Sequence, residues 1–506
     1  MEAKNIGNKK VVFVEPRGAR SNVFAQSMTI PLLGPVYLAT IAQKAGYDVE
    51  VLNENILGRQ VSSKELESAD ILCLSCITAT SSRGKEIGMQ YKTIRKANRL
   101  DSRTIIGGIH ASTIPEDVAP YFDQVVIGEA EHIILDLLDG KIKDKIVHAP
   151  RPENLDEFPV PDFRVIKNWK KMKTHSVMSS RGCPYGCNFC AVTEMFGRKY
   201  RAQSPERVIE EIMQFKKGYV FFADDHFAAN LARTNRILDL MLEKGFSRPW
   251  GAQVRSDVTR NPEFVAKMRE AGCERVYIGF ESVNDKSLLD MNKHQTVKDI
   301  EMAVKVFHDN DIAIHGMFML GNDADTKDVF KSTSDFCHKS DLDSVQYAVL
   351  TPLPGTQTYY KLQDEQRLLH YNWEYYDGLH AVFKPRQMTA HELQKGMVKC
   401  FAEFYSYTNA IKKTFDAFIN SAVLTAKGMY SKIHLPQMPR MPKMPQMPHL
   451  PTVKLPAIKL PIIKLPSLQP ALLRVGGRQI VNKWLMQNRA YMRYLKNLSH
   501  PSPADE

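Results

Sequence analysis

Three cysteines, Cys183, Cys187 and Cys190, stand at C-x3-C-x2-C spacing inside RGCPYGCNFC, Arg181 to Cys190. Thiolates bind iron tightly, and iron–sulfur clusters are held by closely spaced Cys. A structural zinc site normally closes with four ligands in two pairs, whereas this loop offers three thiols and no partnering C-x2-C follows. Three thiolates on a four-iron cube leave one iron open to a substrate or cofactor. The Gly and Pro around the cysteines argue against a chance cluster. Cys73 and Cys76 also form C-x2-C, but they lie inside an apolar run and read as small buried residues rather than a redox pair.

The loop resembles the signature of the radical S-adenosylmethionine (SAM) enzymes. The resemblance implies a 4Fe-4S cluster whose open iron is chelated by the amino and carboxylate groups of SAM. One electron from the cluster then cleaves SAM to methionine and a 5′-deoxyadenosyl radical, the electron coming from a donor such as flavodoxin or ferredoxin. Phe189, the aromatic before the third cysteine, matches the same pattern and is expected beside SAM.

Such a loop needs elements to position it. Residues 1–140 alternate strands and helices: KVVFVE from Lys10, a helix from Gly34 to Gly46, then YDVEVLNEN, ADILCLSCIT, RTIIGGIHAS and QVVIGEAE. This pattern predicts a doubly wound, Rossmann-like parallel sheet, which binds ligands beyond the carboxyl ends of its strands. Standing before the radical SAM signature, it resembles the cobalamin-binding domain of the cobalamin-dependent class. The resemblance puts Ser75, Gly107 and Gly108, with Gly128 and Glu129, against cobalamin. Many cobalamin proteins ligate cobalt through the His of D-x-H-x-x-G after the first strand, but Glu15 to Pro35 contains no histidine. Cobalamin is therefore expected without a His on its lower face, and His110 is read as capping a loop.

Residues 141–170, rich in Pro, read as a linker. From 171 to 370 six βα units follow at a period near 30 residues, which predicts an open, partial (β/α)6 barrel. Polar residues cluster where the strands end, and barrel active sites form there. By resemblance, Asp224 and Asp225 stand where the family contacts the SAM amino group, Glu281 and Ser282 at the ribose, and Arg255 at the SAM carboxylate. The G-G-E form of the amino-binding motif is absent, so Asp224 or Asp225 has to substitute for it. No side chain is singled out as a catalytic acid or base.

Residues 371–430 read as a helical extension that opens on an aromatic stretch. Its Trp373, Tyr375, Tyr376, His380 and Phe383 either line a cleft or close the barrel base. Residues 431–475 form a Pro-rich basic repeat and 476–506 a basic amphipathic helix and tail. Between Asp416 and Asp505 the chain has 13 Lys or Arg and no acidic residue, leaving residues 1–416 near neutral. Nucleic acid is thus not the expected partner, while a basic, apolar tail with Trp484 and Leu485 suits an anionic membrane surface; the alternative is a spacer followed by a helix that docks onto its own protein. The N-terminus lacks an apolar signal segment and no run reaches a membrane span, so a cytoplasmic enzyme, peripheral at the inner face of the membrane, is the expectation.

The reading that unites these features is a cobalamin-dependent radical SAM enzyme that methylates an unactivated carbon of a hydrophobic or natural-product substrate. The alternatives are a radical cyclase acting on a porphyrin or isoprenoid lipid and, from another class, a cobalamin-based sensor.

Overall fold

The computed structural model describes residues 9–22, 29–406 and 469–499. Met1–Phe404 and Gln479–Glu506 form one compact unit, and Tyr405–Arg478 another. The features below lie in the first, apart from the start of the helix Gln469–Gln487.

Its amino-terminal part is built on β1 (Lys10–Glu15), β2 (Asp48–Asn53), β3 (Ile71–Ser75), β4 (Thr104–Gly107), β5 (Gln124–Ile127) and β6 (Ile146–His148). All pair parallel in the order β2-β1-β3-β4-β5-β6. Parallel strands need crossover connections, and helices such as Leu33–Lys44 and Ser81–Ala97 supply them. Val12, Val14, Leu72, Leu74 and Ile106 share a core with Ile87 and Tyr91 of the second of these helices. The alternate residues Val11, Phe13, Ile71, Cys73 and Ile105 are buried as well. Burial on both faces explains why these strands read as unbroken apolar runs. The strand order reverses between β1 and β3, so the ligand crevice opens at their carboxyl ends.

The second part contains β7 (Thr174–Val177), β8 (Ser180–Arg181), β9 (Arg201–Ala202), β10 (Tyr219–Phe222), β11 (Trp250–Val254), β12 (Cys273–Glu281), β13 (Ala313–Leu320) and β14 (Ser344–Val349). Six of these form a parallel sheet in the order β14-β13-β12-β11-β10-β7. Among the described residues no ladder joins β14 back to β7, so the six-unit arrangement stays open there. Along β13, Ile314, Gly316, Phe318 and Leu320 are buried while His315, Met317 and Met319 are only half-buried. This period of two separates a helix-facing side from an interior side. Ser204 caps the first helix by accepting from Arg207 N, with Pro205 in its first turn.

Three expectations need correction. The stretch read as a linker contributes β6, a sixth strand on the first sheet; with three residues and only Val147 buried, it carries no alternation to read. Within the helices Gln469–Gln487 and Arg489–Ser499, Trp484 is not left for a membrane: it is 3% exposed, with Tyr491 at 5% and Leu495 at 0%, while Leu485 stays exposed. The helices dock on the segment after the barrel, where Trp484 packs with Leu379. In that segment Trp373, Tyr376, His380 and Phe383 are buried; Trp373 packs with Tyr359, Tyr376 and Val382 and lies 5.5 Å from the His110 ring, so it neither lines an open cleft nor closes the barrel base. The Pro-rich repeat lies outside the described residues, up to Leu468.

Candidate functional site

The antiparallel pair β8–β9 matches Arg181 with Arg201 and closes the base of the loop that carries the cysteines. Gly182 has φ +85°, and a Cβ there would meet Lys199 O at 2.4 Å, so the crossing needs glycine. Segments that follow β11, β12 and β14 then pin the loop. Tyr185 Oη donates to Asp257 Oδ2 at 2.8 Å, Asn292 Nδ2 to Gly186 O at 2.8 Å and Thr358 N to Asn188 O at 3.0 Å. The Arg255 guanidinium lies 3.7 Å from the centre of the Tyr185 ring.

All three thiols are free and half-buried. Burial pushes Cys190 up to about 12 and Cys183 upward, against the pull of the Val192 and Tyr185 amides. Both are neutral thiols without metal, and ligation has to displace their protons. Among the described residues no three Cys, His, Asp or Glu converge on a single ion. A four-iron cube spreads three thiolates over three irons, so the donor set fits a cluster better than one metal ion.

The polar strand ends divide into engaged and open groups. Asp224 is fully buried and accepts from Ser179 N at 3.1 Å and Ser179 Oγ at 2.8 Å, with Ser180 Oγ as a third donor. Its neighbour Asp225 takes no hydrogen bond from the described residues, and burial, then the Asp224 charge, raises its carboxyl to about 7. Arg255 donates through Nη2 to Lys293 O at 2.7 Å, while its buried Nε makes no hydrogen bond but lies 3.5 Å from Asp257 Oδ2 as an ion pair. Glu281 sits at φ +63° beside an irregularity in the β12–β13 register, its carboxylate 2.7 Å from Lys293 Nζ. A left-handed non-Gly residue is uncommon and clusters at functional sites. Ser282 Oγ accepts from Asn284 N at 3.1 Å, and Phe189 is half-buried in the cysteine loop. Of the predicted set, Asp225 stays open toward a ligand and Asp224 belongs to the framework.

A cavity of about 370 Å3 spans the carboxyl ends of β1, β3, β4 and β5. Ser75, Gly107, Gly108, Gly128 and Glu129 all line it, and Met178, Arg181, Val192, Met195 and Phe196 close it from around the cysteine loop. Its wall is mainly apolar. At Gly108, φ +93°, a Cβ would lie 2.6 Å from Cys76 O; at Gly34 a Cβ would meet nothing within 4 Å. Backbone thus forms one edge of the cavity, where part of a large cofactor such as cobalamin can approach closely. Among the described residues no histidine lines it. His110 is fully buried, with Nε2 3.0 Å from Asp117 Oδ2. Cys73 and Cys76 also face the cavity as neutral thiols, each raised by burial to about 12.

The sequence did not announce the group that joins the two halves. Glu129 accepts from Arg181 Nη1 and Arg201 Nη2, each at 2.5 Å, and Arg181 Nη2 pairs with Glu131 at 2.7 Å. All four side chains are at most 7% exposed. One edge of the cavity is therefore bonded to the residue two positions before Cys183. The only signal was the pair of acids in GEAE facing an Arg beside Gly182 and Cys183. Tyr185 and Lys293 were also missed: Tyr185 lies within the cysteine loop and bonds Asp257, and Lys293 meets Glu281 and Arg255 only through packing of the segment after β12.

Residues 27–138 match the B12 binding domain, and residues 177–336 match the Radical SAM superfamily. The bacteriochlorophyllide d C-12(1)-methyltransferase of Chlorobaculum tepidum is 26% identical, over 82% of this chain and 91% of its own length. The anaerobic magnesium-protoporphyrin IX monomethyl ester cyclase of Cereibacter sphaeroides is 25% identical, over 78% of this chain and 70% of its own length. The solved structure of the cobalamin-dependent SAM radical enzyme OxsB, with aqua-cobalamin and SAM bound, has a similar fold: TM-score 0.63 at 15% identity, covering 96% of this chain and 81% of that one. The order of the two matched domains, the three-thiol loop and the cavity beside it agree, and the chain belongs to the cobalamin-dependent radical SAM enzymes.

Proposed function

We propose that the protein transfers a methyl group to an unactivated carbon of a hydrophobic substrate. The observation that carries this reading is the shared wall: one cavity touches both the glycine edge of the first sheet and the residues around the cysteine loop. When bound, the cluster with SAM supplies carbon-radical chemistry and cobalamin supplies a transferable methyl group. Cys183, Cys187 and Cys190 hold the cluster, which an external one-electron donor such as flavodoxin or ferredoxin reduces. Asp225 receives the SAM amino group, because a buried carboxyl without a partner gains most from an incoming cation. Glu281, already fixed by Lys293, and Ser282 face the ribose, Phe189 packs beside SAM, and Arg255 offers its guanidinium, ion-paired with Asp257 but not hydrogen-bonded at Nε, to the carboxylate. Ser75, Gly107, Gly108 and Gly128 border cobalamin, and Glu129 fixes that border to the cysteine loop. The half-buried Phe221, Tyr277 and Met317 of the barrel interior give a substrate apolar contact.

Methyl transfer is favoured over ring closure because this chain spans 91% of the methyltransferase but 70% of the cyclase. Mass spectrometry of SAM turnover tests it. 5′-Deoxyadenosine with S-adenosylhomocysteine means methylation, 5′-deoxyadenosine alone means another radical reaction, and neither product means a sensor.

No helix among the described residues is long and apolar enough to cross a membrane. The reading includes peripheral attachment to an anionic leaflet through the acid-free interval after Asp416. With Trp484 committed to the protein, the apolar contribution comes from exposed Leu485, Met486 and Leu498, which flank Arg489 and Arg493 in the chain. Each cation near the leaflet contributes about 1 kcal/mol. Co-sedimentation of full-length protein and a chain ending at residue 430, with neutral and anionic vesicles, decides this. Equal pelleting of the two refutes it.

A further inference from the structure

The C-terminal helices reach past the segment on which they dock. Asn488, between them, is 2% exposed and fully engaged. Its Nδ2 donates to Trp484 O and to Ser21 O, each at 3.0 Å, which leaves Oδ1 to accept from His380 Nε2 at 2.8 Å. His380 is itself held at Nδ1 by Asp377 Oδ1 at 2.9 Å, and both side chains are fully buried. On the next helix Tyr491 Oη donates to Ala381 O at 2.8 Å, and its ring stacks 4.3 Å from Tyr375. The helices thus grip the post-barrel segment through two side chains independent of Asn488, namely Trp484 and Tyr491.

Ser21 belongs to a different element. It lies in the stretch Pro16–Asn22 that leaves the carboxyl end of β1, beside the ligand crevice. Two contacts of the first sheet fix the region: Glu54 Oε2 accepts from Arg17 N at 3.2 Å, and Glu15 Oε2 accepts from Leu32 N at 3.0 Å. Leu32, with Leu33 and Gly34, lines the cavity. Asn488 adds a bond from the far end of the chain, 467 residues away in sequence.

We propose that Asn488 is a positioning residue for cobalamin. Through Ser21 O it holds the β1 exit against the C-terminal helices and so slows release of the cofactor from the cavity. This inference rests on cobalamin occupying that cavity. A tether of this kind costs the cysteine loop nothing, because that loop is pinned by Asp257, Asn292 and Thr358 instead.

The test compares full-length wild type with Asn488→Asp and Asn488→Ala. Aspartate keeps an oxygen for His380 but removes both amide donors, and alanine removes all three bonds. Hydrogen–deuterium exchange on the apo-protein should show faster exchange in peptides covering Arg17–Asn22 in both variants. Peptides of the helix Arg489–Ser499 should stay protected in Asn488→Asp, because Tyr491 and Trp484 still dock it. Loading with hydroxocobalamin and timed gel filtration should show release about fivefold faster or more, the effect of one hydrogen bond of ~1 kcal/mol. Iron per chain should remain that of wild type. Unchanged exchange at Arg17–Asn22 overturns the tether, and equal release rates overturn its effect on cobalamin. A wild type that takes up no cobalamin overturns instead the reading on which the inference rests.

Discussion

The buried quartet of Glu129, Glu131, Arg181 and Arg201 predicts a sharp difference between single and paired substitutions. Two guanidinium groups face two carboxylates, so the quartet is neutral, and every member is at most 7% exposed. Glu129→Met strands one positive charge in the interior. Removing one partner of a buried pair costs about 3–5 kcal/mol, a large part of the ~5–15 kcal/mol that holds a typical domain together. Arg201→Met strands one negative charge and costs a similar amount. The double variant Glu129→Met, Arg201→Met leaves Arg181 and Glu131 as a balanced pair, and apolar replacement of a buried pair is often near neutral. Arg201 also donates to Pro152 O at 2.6 Å and Phe196 O at 3.0 Å, so losing it leaves two carbonyls short. The double variant should therefore sit about 2 kcal/mol below wild type, far less than the sum of the single losses. Equilibrium urea denaturation of the four proteins, with iron per chain measured alongside, supplies the cycle. Because Arg181 lies two residues before Cys183, the single variants should also lose cluster. Additive losses, or a Glu129→Met variant within 1 kcal/mol of wild type, refute the reasoning.

Gly108→Ala should cost ~1–3 kcal/mol and abolish cobalamin retention, since a Cβ at φ +93° drives into Cys76 O; a variant that binds cobalamin at wild-type level contradicts this. Burial raises Glu15 and Glu211 to about 7 despite bonds from Leu32 N and Gln203 that pull the other way. Each neutral carboxyl supports the fold fully below pH ~4.5 and loses that contribution as pH rises to about 7, a change of about 3 kcal/mol. Glu211→Gln should flatten the stability curve over that window, and a curve parallel to wild type refutes the assignment. Because no histidine among the described residues lines the cavity, the cob(II)alamin spectrum should lack nitrogen splitting from a histidine; observing it means that another residue reaches cobalt.

The sequence alone determined the local chemistry and the order of the elements. Three thiols within eight residues, Cys183 to Cys190, make a cluster loop wherever the chain folds. The βα alternation fixes parallel sheets because the strands are short, apolar and separated by helical periods. Ser75, Gly107, Gly108 and Gly128 were legible for the same reason, since strand ends are where such sheets bind ligands. Separation in the chain hid the rest. Asp224 and Asp225 look alike as neighbours, and only the packing of Ser179 and Ser180 shows that the first is bonded into the framework. Trp484 looked fit for a bilayer because its helix is basic and apolar, yet the complementary surface at Leu379 lies about 100 residues earlier in the chain. Glu129 meets Arg181 and Arg201 across 52 and 72 residues, and Asn488 meets Ser21 across 467. Local spacing encodes which groups a segment can offer. Which of them are neutralised, buried or left open depends on partners brought together by long-range packing, and tertiary structure alone decides that.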